Sequence, residues 1–108
     1  MKKVKLVVFV PLTHTKVVRE ALGKSGAGTI GDYSHCSFSS IGTGRFKPNT
    51  KAKPYIGKAN SLESVQEERI EITCLKKEVK KIIEEMKKVH PYEEIAFDIY
   101  PLINEEDL

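Results

Sequence analysis

K-K-I-I-E-E-M-K-K-V-H-P-Y-E-E-I-A-F-D-I-Y-P-L, residues 80–102, changes its hydrophobic period halfway along. Together with Val79 just before it, Ile82, Ile83, Met86 and Val89 recur at helical spacing among lysines and glutamates, which predicts an amphipathic helix over 76–89. Further on, Ile95, Phe97 and Ile99 alternate with Ala96, Asp98 and Tyr100, the period of a strand. His90-Pro91 separates the two. Proline cannot continue a helix and biases the residue before it toward extended backbone, so the chain turns sharply just after Val89. His90, Tyr92, Glu93 and Glu94 are thereby gathered at one corner.

Upstream, Ile70, Ile72 and Cys74 alternate with Arg69, Glu71 and Thr73, which predicts a strand over 65–75 leading into that helix. The N-terminal half repeats the pattern. Val4, Leu6, Val8 and Val10 share one face of a strand over 3–10 whose other face ends in Val7 and Phe9. Pro11, Thr13 and Thr15 signal a helix start, Val17, Val18, Ala21 and Leu22 supply its apolar stripe, and Gly23, Gly26 and Gly28 stop it. A second strand is expected over Ile30–Ser40, with Tyr33, His35 and Ser37 on one face and Asp32, Ser34, Cys36 and Phe38 on the other. Residues 41–62 follow as a long loop, with short extended turns at 45–47 and 54–56.

This order predicts an α+β domain over 1–102: a ferredoxin-like βαββαβ fold with an antiparallel sheet and both helices on one face. The segment 103–108 is an acidic tail, expected to fray. The other sheet face would show Val7, Phe9, Ala96 and Tyr100, apolar surface that a closed oligomer would bury. A chain of 108 residues is too short for a deep cleft of its own, so a site is expected between subunits.

The net charge of +3 does not by itself argue for nucleic acid, but it is unevenly spread. Residues 41–62 hold five Lys/Arg and no acid, whereas 63–108 hold seven against thirteen acids. An acidic helix and tail would repel phosphates, so Phe46 and Tyr55 within the basic loop do not make a nucleic-acid site. Cys36 and Cys74 lack zinc-ligand spacing and read as free thiols of a reducing compartment. With no apolar run long enough to span a membrane and no cleavage site after the first strand, the expected location is cytoplasmic.

Three sets of residues could carry chemistry. His90, Glu93 and Glu94, with His35 or Cys36 from another segment, could hold a divalent metal ion, although a histidine at a helix C-terminus is equally explained by the helix dipole. Cys36 with His90 or His14 as base would make a thiol enzyme or hydrolase, but neighbouring His35 and Cys36 point to opposite faces of a strand and cannot pair. Gly42, Gly44, Arg45 and Lys47, with Tyr92, could form an anion-binding nest, or the glycines could simply be turns.

G-A-G-T-I-G-D-Y-S-H-C-S-F-S-S-I-G-T-G-R-F-K-P, P-Y-I-G-K, E-E-R-I-E and H-P-Y-E-E-I-A-F-D-I-Y-P-L, in that order, resemble the inserted domain of the Nif-three-like (YqfO) proteins. H-P-Y-E is also similar to a segment of the CutA divalent-cation-tolerance proteins, and both families resemble the PII signalling proteins. The resemblance spans about 4–102 and implies a stand-alone copy of the insert without that family's two-metal centre. It implies a homotrimer in which the long loop contacts a small molecule or a protein partner in inter-subunit clefts. The resulting expectation is a non-enzymatic regulatory module binding a small anionic ligand or a divalent metal, with no certain cofactor. A hydrolase or thiol enzyme at the subunit interface, or a purely structural oligomerisation domain, are the alternatives.

Overall fold

The computed structural model describes all 108 residues. Strand β1 (Lys3–Pro11) runs through a single 3-10 turn into helix α1 (Thr15–Lys24). Strands β2 (Phe38–Phe46) and β3 (Glu63–Leu75) follow, then another 3-10 turn, helix α2 (Val79–Val89) and strand β4 (Phe97–Pro101). The sheet order is β2-β3-β1-β4 and every neighbouring pair is antiparallel. This is the ferredoxin-like arrangement expected from the two strand–helix–strand halves. No helix is long and apolar enough to cross a membrane.

Alternation decides which face of the sheet is dry. Val4, Leu6, Val8 and Val10 of β1 and Ile70, Ile72 and Cys74 of β3 point to the helices. They close on Val18 and Leu22 of α1 and on Ile82 and Met86 of α2. Each fully buried Leu, Ile or Met here stabilises the fold by about 2 kcal/mol. Burial pushes the Cys74 thiol up to about 11, so it acts as a small apolar filler. The helix layer is tied to the sheet by Arg19, whose guanidinium meets the Glu68 carboxylate at 2.7 Å.

Three expectations are corrected. Residues 30–37 are not strand: Ile30 and Tyr33 exchange backbone hydrogen bonds of 2.8 and 2.9 Å around a tight turn, and His35 takes a positive φ of 60°. Gly28 explains the diversion. Its N–H donates to the Thr73 carbonyl (2.8 Å), its φ is +78°, and a Cβ there would strike the Cys36 backbone. Conversely, Ile41–Phe46 is strand, paired from Ile41↔Glu68 to Phe46↔Glu63, so the β2–β3 loop covers only 47–62. No strand forms at 54–56. The tail ends in a 3-10 turn at Glu105–Asp107, and Asn104 Nδ2 donates to the Met1 carbonyl at 3.0 Å.

The outer sheet face is also less bare than expected. Val7 is 0 % exposed within the single chain. Arg69 lies over the Phe9 ring at 5.5 Å from its centroid and meets Glu71 at 3.2 Å. The Tyr100 hydroxyl and the Glu71 carboxylate both raise the Arg69 guanidinium above its ordinary pKa. A charged strap thus crosses the middle of a face that composition alone made apolar.

Candidate functional site

The corner after α2 is built by hydrogen bonds. His90 caps the helix in extended conformation (φ −80°, ψ 134°), its N–H donating to the Met86 carbonyl at 3.1 Å. Its ring is nearly buried, 7 % exposed. Nε2 lies 2.8 Å from the Phe9 carbonyl, an acceptor only, so Nε2 carries the proton. Nδ1 then accepts the Tyr92 N–H at 3.2 Å. Burial lowers the His90 pKa, against the opposing pull of the Phe9 carbonyl and Glu67, and the neutral tautomer fits both bonds.

Tyr92 projects from that corner across the outer face. Its hydroxyl donates to Glu67 Oε2 at 2.9 Å, and burial together with Glu67 raises its pKa, so it stays a donor. Glu67 is 9 % exposed and lies across Gly44, where a Cβ would strike its carboxylate. Loop 47–62 completes the assembly. Asn60 N–H donates to the Pro48 carbonyl (2.7 Å) at its neck, and Asn49 Oδ1 accepts the Lys51 and Ala52 N–H groups. The tip folds back onto the corner: Lys53 N–H donates to Glu93 Oε2 (3.0 Å), and Tyr55 packs edge-on to His14 at 5.8 Å.

Between loop and sheet lies a groove of about 530 Å³. Phe9, Phe46, Tyr55 and Tyr92 supply its aromatic walls, and Arg45, Lys47, Glu67, Glu93 and Glu94 also line it, with no ion pair among them. The groove is formed by one chain, whereas 108 residues were expected to need a neighbour for this.

Of the residues singled out from sequence, the structure brings together Gly44, Arg45, Lys47, Tyr92, Glu93 and Glu94. Gly42 is left out, with open space where its side chain would stand. His90 sits behind the groove, both ring nitrogens engaged. His35 and Cys36 are elsewhere: the His35 ring covers Gly23 and lines a separate hollow of about 250 Å³ with Lys16, Arg19 and Glu20. No three His, Cys, Asp or Glu side chains converge as metal ligands, and Cys36 has no imidazole partner within the chain. Glu67 was missed, and Phe9, placed on the outer face, was not joined to a site. Strand parity could have found both, since they share the outer face with Arg69 and Tyr100.

The chain is 56 % identical over 101 residues to the GTP cyclohydrolase 1 type 2 homolog of Halalkalibacterium halodurans, covering 94 % of this chain and 27 % of that protein. It is 54 % identical to the one from Bacillus subtilis, over 91 % of this chain and 26 % of that protein. The chain is a homologue of one segment of these longer NIF3-related proteins. It spans about a quarter of their length. A Bacillus cereus protein related to NIF3 superposes with a TM-score of 0.83 at 50 % identity, over 95 % of this chain and 26 % of that one. The fold is shared more widely. The periplasmic divalent cation tolerance protein CutA from Archaeoglobus fulgidus gives a TM-score of 0.70 at 14 % identity, covering 98 % of this chain and 91 % of that one. The B. subtilis GlnK–ATP complex gives 0.64 at 16 %, covering 94 % and 82 %. No protein-family model matches the chain.

Proposed function

We propose that this chain is a small, non-enzymatic regulatory module that binds a ligand in the groove beneath loop 47–62 and reports it through the loop. One observation carries this: the loop is itself a wall of the groove, held to the opposite wall by the Lys53–Glu93 hydrogen bond and the ring contacts of Tyr55 with His14 and Tyr92. Such contacts are weak enough to re-form around a guest, and displacing or tightening them moves a basic, exposed segment that a partner can read. The likeness of fold to CutA and to GlnK supports a regulatory, self-associating role, here a trimer in the cytoplasm. Arg45 and Lys47 suit an anionic part of the ligand at the mouth of the groove.

The test combines a thermal-shift screen with limited trypsin digestion. Nucleotides, ATP first because the GlnK neighbour was solved with it, phosphorylated metabolites and divalent cations are each added to the full chain. A ligand that raises the melting temperature should also slow cleavage after Lys51 and Lys58, the loop lysines not followed by proline. A melting shift with no change in loop cleavage would refute signalling through the loop. If nothing in the panel shifts melting, the structural oligomerisation reading takes its place.

A further inference from the structure

One side chain narrows the ligand class, on the reading that the groove is a ligand site. Glu67 is nearly buried, yet none of the chain's ion pairs includes it; those are Arg19–Glu68, Arg69–Glu71 and Lys88–Glu85. Arg69, its same-face neighbour on β3, turns away to Glu71 and the Phe9 ring. His90 is held neutral with both nitrogens in use. The carboxylate has a single hydrogen bond, from the Tyr92 hydroxyl to Oε2. Oε1 receives none; it lies over Gly44, and since no fully buried side-chain oxygen in the chain lacks a partner, it keeps some exposure where Glu67 lines the groove. A buried carboxylate without counter-charge is costly, and a cation from outside relieves that cost.

The walls agree in chemistry. The Tyr92 ring stands 6.4 Å from both Phe46 and Tyr55, tilted by 55° and 50°, so Tyr92 touches both rings without stacking on either. Aromatic groups beside a carboxylate suit a compact organic cation, held by attraction to ring faces and by one charge-assisted hydrogen bond. A bare metal ion would find no group of three His, Cys, Asp or Glu side chains to hold it.

We propose that the groove recognises an organic ammonium group, which donates an N–H to Glu67 Oε1 while Phe46, Tyr55 and Tyr92 enclose its substituents. A space of about 530 Å³ exceeds an ammonium head, so the rest of the molecule extends toward Arg45 and Lys47, where an anionic substituent is accommodated.

The probe is phenethylammonium, compared with the neutral 2-phenylethanol, titrated into the 15N-labelled full chain by NMR. The expected result is a saturable shift of the Gly44, Tyr55 and Tyr92 amides with the ammonium and none with the alcohol. Glu67→Gln should weaken the ammonium at least about tenfold while leaving distant amides in place. Equal binding of the alcohol, unchanged affinity in Glu67→Gln, shifts confined to other surfaces, or no saturable shift at any soluble concentration would overturn the proposal. The alcohol comparison needs no variant, so it decides even if Glu67→Gln fails to fold. Loop protection by another ligand, with no response to the ammonium, would remove this inference and leave the loop-reporting function standing.

Discussion

His90 is the residue on which the corner rests, and its two hydrogen bonds define its behaviour with pH. Its folded pKa lies below its ordinary value of 6.5 because burial disfavours the imidazolium. Below about pH 6.5 the unfolded chain therefore binds the proton more readily, so His90 supports stability above that pH and the support is lost as pH falls through the folded value. Denaturant midpoints measured at pH 8 and pH 5.5 should drop on acidification, and the drop should shrink in His90→Gln; an equal drop in both proteins would assign the effect elsewhere. His90→Ala leaves the Phe9 carbonyl without its partner and should cost about 1–3 kcal/mol at neutral pH. Two glycines give a sharper contrast. Gly42 has open space at its Cβ position, so Gly42→Ala should change stability by no more than about 0.5 kcal/mol. Gly44→Ala meets the Glu67 carboxylate, the far end of a flexible side chain. It should cost only about 1–2 kcal/mol, yet displace Glu67 and abolish the groove's ligand response.

Between Gly28 and Leu62 the local pattern and the tertiary structure part company. The outer elements β1, α1, β3, α2 and β4 were legible because each carries a clear period of 2 or 3.6, and all but β3 end at or near a Gly or Pro. Residues 30–37 look extended by composition, but the positive φ of Gly28, Gly31 and His35 bends them into a cap over the free edge of β3 at Thr73. Such dihedrals leave little trace in composition. Ile41–Phe46 reads as loop for the converse reason, since Gly42 and Gly44 are poor strand formers and the pairing with β3 is what holds them. The groove shared this fate: its mouth residues stood in conspicuous Gly-rich and basic runs, whereas Glu67 and Phe9 are ordinary strand residues until register sets them diagonally across β1 and β3. Gly28→Ala tests the cap. Its Cβ would meet backbone that cannot rotate away, in a φ region alanine avoids, so a loss of about 2–4 kcal/mol in chemical denaturation is expected. A loss below about 0.5 kcal/mol would show that the segment closes some other way.

At the scale of the molecule the question is what the open edges do. The apolar outer face that argued for oligomerisation is partly closed already by Arg69, Glu71 and Tyr100, with Val7 sealed beneath them. Apolar exposure has moved to the margins. Phe38 on β2 is 69 % exposed, and Ile99 and Tyr100 on β4 and Leu102 and Ile103 just beyond it are also open. Both β2 and β4 are edge strands with a free row of backbone groups, and β4 is short, carrying Pro101 at its end. Unpaired edges flanked by apolar side chains invite pairing with another copy. Contact between the β2 side of one chain and the β4 side of the next is heterologous, and it closes into a ring only when the rotation between copies allows. A closed trimer satisfies both edges of every copy, whereas a two-fold dimer through one edge leaves the other bare. Light scattering should therefore give three times the 12.2 kDa chain mass. Phe38→Lys and Ile99→Lys, one on each margin, should each lower that mass without lowering helix content. A chain-sized mass for the unmodified protein would refute the trimer, and retention of the trimer in both variants would move the interface from the sheet margins to the Arg69 face.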